Sequence, residues 1–206
     1  MDIQQILFSL PGIIIGFTVH EYAHALAACK LGDTTVREDG RLTLNPMNHI
    51  DIVGLIFIIF AGFGWAKPVR FHPDMLKHPK RDKAIIAAVG PLSNLILGIL
   101  FILVLKSLHL LHTDAGTIDA VSFTAKVLFY WGFINIGLFL FNMLPIPPLD
   151  GSHIFLSGLK IRKETETKIM QTGSGIFFLI LIIQSTSGYN VLPIGAVINR
   201  MIALIL

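Results

Sequence analysis

Residues 20–24 read His20-Glu21-Tyr22-Ala23-His24. Imidazoles at i and i+4 fall on one face of an α-helix, a turn apart. Their nitrogens can then bind a single zinc ion at about 2.0–2.1 Å. Glu21 lies beside them, where a carboxylate can take a proton from an activated water and later return it. The bare pattern is only moderately specific, and its setting adds the rest. The run at 6–28 that contains it is otherwise apolar, and an ionisable group inside such a run marks a functional site. The plain alternative is a buried polar cluster that ties helices together.

A catalytic zinc ion usually takes three protein ligands and leaves one position open. The acidic residues that could supply the third are few. Asp2 is terminal; Asp33, Glu38, Asp39, Asp51, Asp74 and Asp82 sit among basic, wet loops; Glu164 and Glu166 lie in a charged loop. Asp114 and Asp119 belong to a loop on the opposite side of the membrane. Asp150, in "FNMLPIPPLDGSHIF" (141–155), remains. Pro145, Pro147 and Pro148 cannot continue a helix and should hold Asp150 on a stiff, non-helical segment. Gly151 then allows a tight turn. His153 is a rival ligand. His49, His72 and His78 read as interfacial or loop histidines, and His109 and His112 lie on the wrong side. Asn94 and Asn142 could each hydrogen-bond a substrate carbonyl or a developing oxyanion, or simply join helices. Gly90-Pro91 reads as a close approach or a kink, and Asn135 has no evident role.

These groups need apolar spans to position them. The chain has 206 residues, 53% hydrophobic and only 14% charged, with a mean hydropathy of +0.72, where a soluble domain carries about 25% charged residues. Spans are expected at 6–28, 84–105, 125–144 and 169–187; the first is about 34 Å long as a helix. The tail at 191–206 either spans part way or lies in the interface. Nine of the 16 Lys and Arg fall in 30–83 and four more in 160–168, whereas 109–123 holds none. The positive-inside rule therefore puts the N-terminus outside and the His20–His24 end of the first span toward the cytoplasm. Charges that flank spans in this way argue against nucleic acid as a partner. No cleavable signal peptide is evident, and the single cysteine, Cys29, excludes an internal disulfide. The stretch at 52–65 is too short to span, is interrupted by Gly54, Gly62 and Gly64, and has basic flanks on both sides, which fits a re-entrant segment. Before it, Asp39-Gly40 between Val36 and Leu42/Leu44 predicts a small cytoplasmic β-hairpin whose edge could pair with a peptide.

Together, His20-Glu21-x-x-His24 and Asn142-x-x-Pro145-x-Pro147-x-x-Asp150-Gly151 resemble the site-2 protease family of intramembrane zinc metalloproteases. Gly90-Pro91-x-x-Asn94 is similar to the segment between them in that family, and "GRLTLNP", "HID" and "FGWAKPV" resemble its compact bacterial branch, without a PDZ or CBS domain. The resemblance covers roughly 5–160. It implies one zinc ion per chain held by His20, His24 and Asp150, with Glu21 catalytic, and transmembrane proteins as substrates in a bacterial plasma membrane. Where some relatives carry a further asparagine, this chain has Gly137. The expected fold is an all-α polytopic membrane protein: one domain over 1–206, with four to five transmembrane helices, a hairpin, a re-entrant loop and C-terminal helices at 169–206. A divalent-metal transporter and a catalytically silent membrane scaffold are the rival readings.

Overall fold

The computed structural model describes residues 3–61, 64–108, 119–159, 161–187 and 194–205. The expected outer loop with His109, His112 and Asp114 lies outside the described residues, as does Gly62. The described chain is helical throughout: α1 (Ile3–Leu31), α2 (Thr35–Glu38), α3 (Ile52–Ala61), α4 (Pro79–Ser107), α5 (Asp119–Asn142), α6 (Asp150–Ser157), α7 (Lys163–Ser187) and α8 (Ile194–Ile205), with single 3-10 turns at Pro46–Asn48 and Pro73–Met75. Four of these helices are long and apolar enough to cross a membrane, over Gln4–Leu31, Pro79–Ser107, Phe123–Asn142 and Lys163–Ile183. They match the four expected spans: the first two are longer by a few residues, and the last two begin and end somewhat earlier. α8 is a shorter apolar helix. Its Ile198 and Ile202 pack on Ile102 of α4 and Ile136 of α5, while Val197 and Leu204 stay exposed.

Helices α1, α4 and α5 form the central bundle. Inside lipid, helices gain little from burying apolar side chains and associate instead by close packing of small residues. α1 presents Gly12 and Gly16 to α5 in such a pattern. A Cβ on Gly12 would sit 2.7 Å from Trp131 Cδ1, and one on Gly16 would sit 2.7 Å from Asn135 Oδ1. The contact is also polar: Trp131 Nε1 donates to Phe8 O (2.9 Å), and Asn135 Nδ2 donates to Gly12 O (3.3 Å).

The predicted β-hairpin over 36–44 is not there. Its turn exists, with Gly40 at φ +66°, but the flanking residues are not strands. The Asp33 carboxylate accepts from both Thr35 N (3.0 Å) and Thr35 Oγ1 (2.6 Å), which starts a helical turn instead. Val36 is fully buried against Ala25, Ala28, Leu76 and Ile86. On the far side, Asn45 Oδ1 caps the 3-10 turn by accepting from Met47 N, and Pro46 has no N–H to offer a ladder. Local side-chain-to-backbone bonds thus outcompete strand pairing, and the peptide pairing expected at this edge has no edge to use. Among the described residues the one strand-like pairing is an antiparallel bridge of Ile50 with Ala66. It is backed by Lys67 N donating to His49 O (2.7 Å). Chain that enters α3 at 50 therefore returns beside its own entry point.

Asp33 and Asp82, expected in wet loops, are fully buried, and so is His49. Asp33 ties two loops together: besides Thr35 it accepts from His72 N at 2.5 Å. Burial works to raise its carboxyl pKa, but the hydrogen bonds from Thr35 and His72 outweigh burial and hold it below the ordinary carboxylate range. A carboxyl with a depressed folded pKa stabilises at pH above its unfolded value, near ~3.9, and that stabilisation is lost as pH falls through the folded value. Asp33→Ala should therefore raise hydrogen exchange of the Thr35 and His72 amides at neutral pH by about tenfold or more. Acidification below the ordinary carboxylate range should do the same in the unaltered chain.

Candidate active site

His20, Glu21 and His24 lie in the C-terminal half of α1, and each is buried, at 7% exposure. The two imidazoles stand edge to face, 86° apart, with their Nε2 atoms separated by 3.0 Å. Each ring is fixed through its other nitrogen. His20 Nδ1 meets Asn94 Oδ1 at 2.7 Å, and His24 Nδ1 meets Ile86 O at 2.7 Å. A carbonyl oxygen only accepts, so Nδ1 must carry the proton in both rings. Each Nε2 is then left as a lone pair, the form that binds metal. Such an acceptor behind a histidine is the usual orienting partner of a metal ligand.

The third group comes from α6. α5 ends at Asn142, the proline segment crosses without helix, and Asp150 opens α6. Its Oδ2 is 3.1 Å from His20 Nε2 and 3.4 Å from His24 Nε2. One ligand atom from each of the three lies within 4.8 Å of the others, a grouping that could hold a metal ion. The prolines end the helix after α5 as expected, but Asp150 does not sit on the non-helical segment: it is the first residue of α6. Gly151 makes no tight turn but sits in the first turn of α6, where any side chain would collide with the Met143 and Leu144 carbonyls. Two imidazole nitrogens and one carboxylate oxygen facing a cavity are donor types that a catalytic zinc ion takes.

α4 supplies the wall behind the rings. Gly90 faces both histidines, and a Cβ there would overlap His24 Nε2 and approach His20 Cε1 to 2.9 Å. The expected close approach at Gly90-Pro91 is therefore a contact with the ligands themselves. Asn94, one turn further along, is fully buried. Its Oδ1 faces His20, and its Nδ2 donates to Gly16 O (3.0 Å) and to Asn135 Oδ1 (3.1 Å). Asn135, to which the sequence assigned nothing, thus holds Asn94, which holds His20. An asparagine at helix depth opposite a buried polar ring was the signal available for it.

Glu21, the residue after His20, lines the same cavity as the two histidines and Asp150. Its Oε2 accepts from Val69 N at 2.8 Å. That donor sits on the return segment, which Arg41 anchors by donating to Asn48 O (2.5 Å), Lys67 O (3.2 Å) and Pro68 O (3.0 Å). Asn142 lines the same cavity as the ligands, and its Nδ2 donates to Leu138 O at 3.0 Å. The cavity measures about 670 Å³ and contains His20, Glu21, His24 and Asp150 among mostly apolar side chains such as Phe17, Ile58 and Phe141. His153, the rival ligand, lines it too but is not among the three converging groups.

Gly90→Ala should push the two rings apart. The expected result is loss of zinc from the purified protein, measured per chain by elemental analysis, with the helical circular dichroism unchanged. Full zinc occupancy in the variant would show that the wall is not tight.

Several known proteins are similar along most of the chain. The Bacillus subtilis protein named "Putative zinc metalloprotease YwhC" is 38% identical over 185 residues, covering 88% of this chain and 82% of that one. A Mycolicibacterium smegmatis protein named "Putative zinc metalloprotease Rip2" is 28% identical over 189 residues, covering 88% of this chain and 68% of its own. The Methanocaldococcus jannaschii protein named "Putative zinc metalloprotease MJ0611" is 30% identical over 155 residues, covering 72% and 69%. No solved structure gives a significant match. Residues 8–183 match the sequence model of Peptidase family M50, a span that contains both histidines, Glu21 and Asp150, and the chain is a member of that family.

Proposed function

We propose that the chain is an intramembrane zinc metalloprotease that hydrolyses peptide bonds in or near transmembrane segments of membrane-protein substrates. The observation that carries this reading is the convergence of His20, His24 and Asp150 beside Glu21 in an apolar cavity. Its volume, about 670 Å³, is within the range of small-ligand pockets, roughly 300–1,000 Å³. That is room for a short stretch of extended chain, not for a whole transmembrane helix of ~30 Å. A helical substrate hides its carbonyls in i→i−4 bonds, so it must unwind locally to enter.

One zinc ion per chain would be held by His20 Nε2, His24 Nε2 and Asp150. When bound, it supplies Lewis-acid chemistry, polarising a carbonyl and making water more acidic. Glu21 takes the proton from the attacking water and delivers one to the leaving amine. Val69 N–H holds one oxygen of that carboxylate, so the side chain keeps its orientation through both transfers. Asn142 offers its amide to a substrate carbonyl or to the oxyanion. Asn94, with both polar atoms engaged by His20, Gly16 and Asn135, acts on the reaction through the His20 ring. The apolar lining excludes bulk water, which strengthens each of these electrostatic contacts.

The whole of 1–206 would act as one domain in a bacterial plasma membrane. The basic flanks at 30–83 and 160–168 support an N-terminus outside and a site opening toward the cytoplasm. The pairing of Ile50 with Ala66 supports α3 as a re-entrant element that enters and leaves on the cytoplasmic side.

The test is purification in detergent, measurement of bound zinc, and comparison of the unaltered protein with Glu21→Gln on a transmembrane peptide. Zinc should be retained and cleavage should fall by about 10²–10⁴-fold. Equal cleavage by the variant would sink the role of Glu21. Zinc with no cleavage of any peptide by the unaltered protein would favour a membrane scaffold. Metal flux into liposomes that depends on His20 would favour a divalent-metal transporter.

A further inference from the structure

Most of the carboxylate, ammonium, imidazole and amide groups lining the cavity are engaged by the protein itself. Glu21 holds Val69 N–H, and Asn142 Nδ2 holds Leu138 O. Lys83 is paired with Glu166 of α7. The Nδ1 atoms of His20 and His24 are taken by Asn94 and Ile86, and their Nε2 atoms face Asp150.

His153 differs. It lies three residues after Asp150, on the adjoining turn of α6 and so on the same face, and it lines the same cavity. Its Nδ1 is buried with no hydrogen-bond partner, and no described residue bonds its other ring nitrogen. Buried polar side-chain atoms are nearly always paired, and one that is not calls for an explanation. A metal does not supply it, since His153 stands outside the converging trio.

Resting on the protease reading above, we infer that His153 is a substrate-contacting residue, whose ring N–H donates to a backbone carbonyl of the unwound substrate beside the scissile bond. The chemistry of the two partners is matched. Local unwinding of a helix frees carbonyls that have lost their N–H donors, and an apolar cavity offers few replacements. Burial, helped by the nearby Lys83 ammonium, lowers the His153 pKa, which keeps the ring neutral, with one N–H to give. The second Nδ2 hydrogen of Asn142 and the ring N–H of His153 then grip the substrate backbone by side-chain bonds that do not depend on its sequence. Asp150, one turn before His153 on the same face of α6, fixes the position of that grip relative to the ligand cluster.

Three measurements on the full-length protein in detergent test this. Zinc per chain is measured in His153→Leu and His153→Gln. The steady-state kcat and KM are measured on a transmembrane peptide. Binding of the same peptide is measured by fluorescence anisotropy in the non-cleaving Glu21→Gln background, with and without His153→Leu. The expected result is unchanged zinc, a loss of about tenfold or more in kcat/KM for His153→Leu, and weaker peptide binding of the same order in the Glu21→Gln background. His153→Gln, which keeps an N–H donor, should recover most of the loss.

Equal kcat/KM in His153→Leu would overturn the inference while leaving the protease reading intact. Loss of zinc in both variants would also overturn it, in favour of a ligand role. An equal loss in His153→Leu and His153→Gln, with thermal unfolding lowered in both, would reduce the residue to a packing role. Failure of the unaltered protein to cleave any peptide would instead count against the protease reading, and the anisotropy comparison would still read the His153 contact.

Discussion

Two hydrogen bonds, His20 Nδ1 to Asn94 Oδ1 and His24 Nδ1 to Ile86 O, decide what this molecule can do. Without them the imidazoles could rotate or take the other tautomer, and the Nε2 lone pairs would not converge on Asp150. Both acceptors belong to α4, so the site exists only while α4 is pressed against α1. Gly90 permits that approach, because any side chain there would occupy the space of the rings. One helix thus carries the two imidazoles and a second sets their protonation and direction.

The support extends further into the bundle than the site does. Asn94 is held by Gly16 O and Asn135, and Asn135 by Gly12 O and Trp131 O. In an apolar medium an unpaired amide is costly, and each of these amides is placed where a backbone carbonyl or another amide can use it. The glycines of α1 serve both ends of this chain of contacts: they let α5 come close, and they leave their own carbonyls accessible. Packing between α1 and α5 and the orientation of His20 are in this way one structural problem with one solution.

The sequence was most informative where physics leaves few options. An i, i+4 histidine pair inside an apolar run has few structural uses, and Asp150 was isolated because every other acid lay at the wrong depth or on the wrong side. The four long helices were equally plain from length and hydropathy. The stretch at 34–48 was not. Val36 alternates with Leu42 and Leu44 around a real turn, but full burial of Val36 under Leu76 and Ile86 depends on chain forty residues away. The capture of Thr35 by Asp33 is a local bond that strand pairing cannot match. Asp33, Asp82 and His49 were misjudged as wet for a related reason: a charged or polar residue in a basic loop looks solvated until the loop folds back over it. Asn135 could be noticed but not given a role, because an isolated asparagine in a span says that it needs a partner without saying which.

Glu21, the proposed general base, depends on a different part of the chain from the proposed metal ligands. Glu21 shares α1 with the histidines, but its carboxylate is oriented by Val69 N–H, from the segment that returns after α3. That segment is held by Arg41, whose guanidinium spans the carbonyls of Asn48, Lys67 and Pro68, and by the bridge of Ile50 with Ala66. Ligand geometry is therefore set by helix packing inside the bundle, whereas base geometry is set by loops at one end of it. The two can be perturbed separately. Displacing the 65–69 segment would release Glu21 without moving His20, His24 or Asp150, since the bonds that orient the two rings come from α4 and their contact with Asp150 from α6. The same segment lines the cavity through Trp65, Ala66, Pro68 and Val69, so whatever enters the cavity must pack against the element that holds the base. Occupancy of the cavity and orientation of Glu21 are coupled by that shared wall.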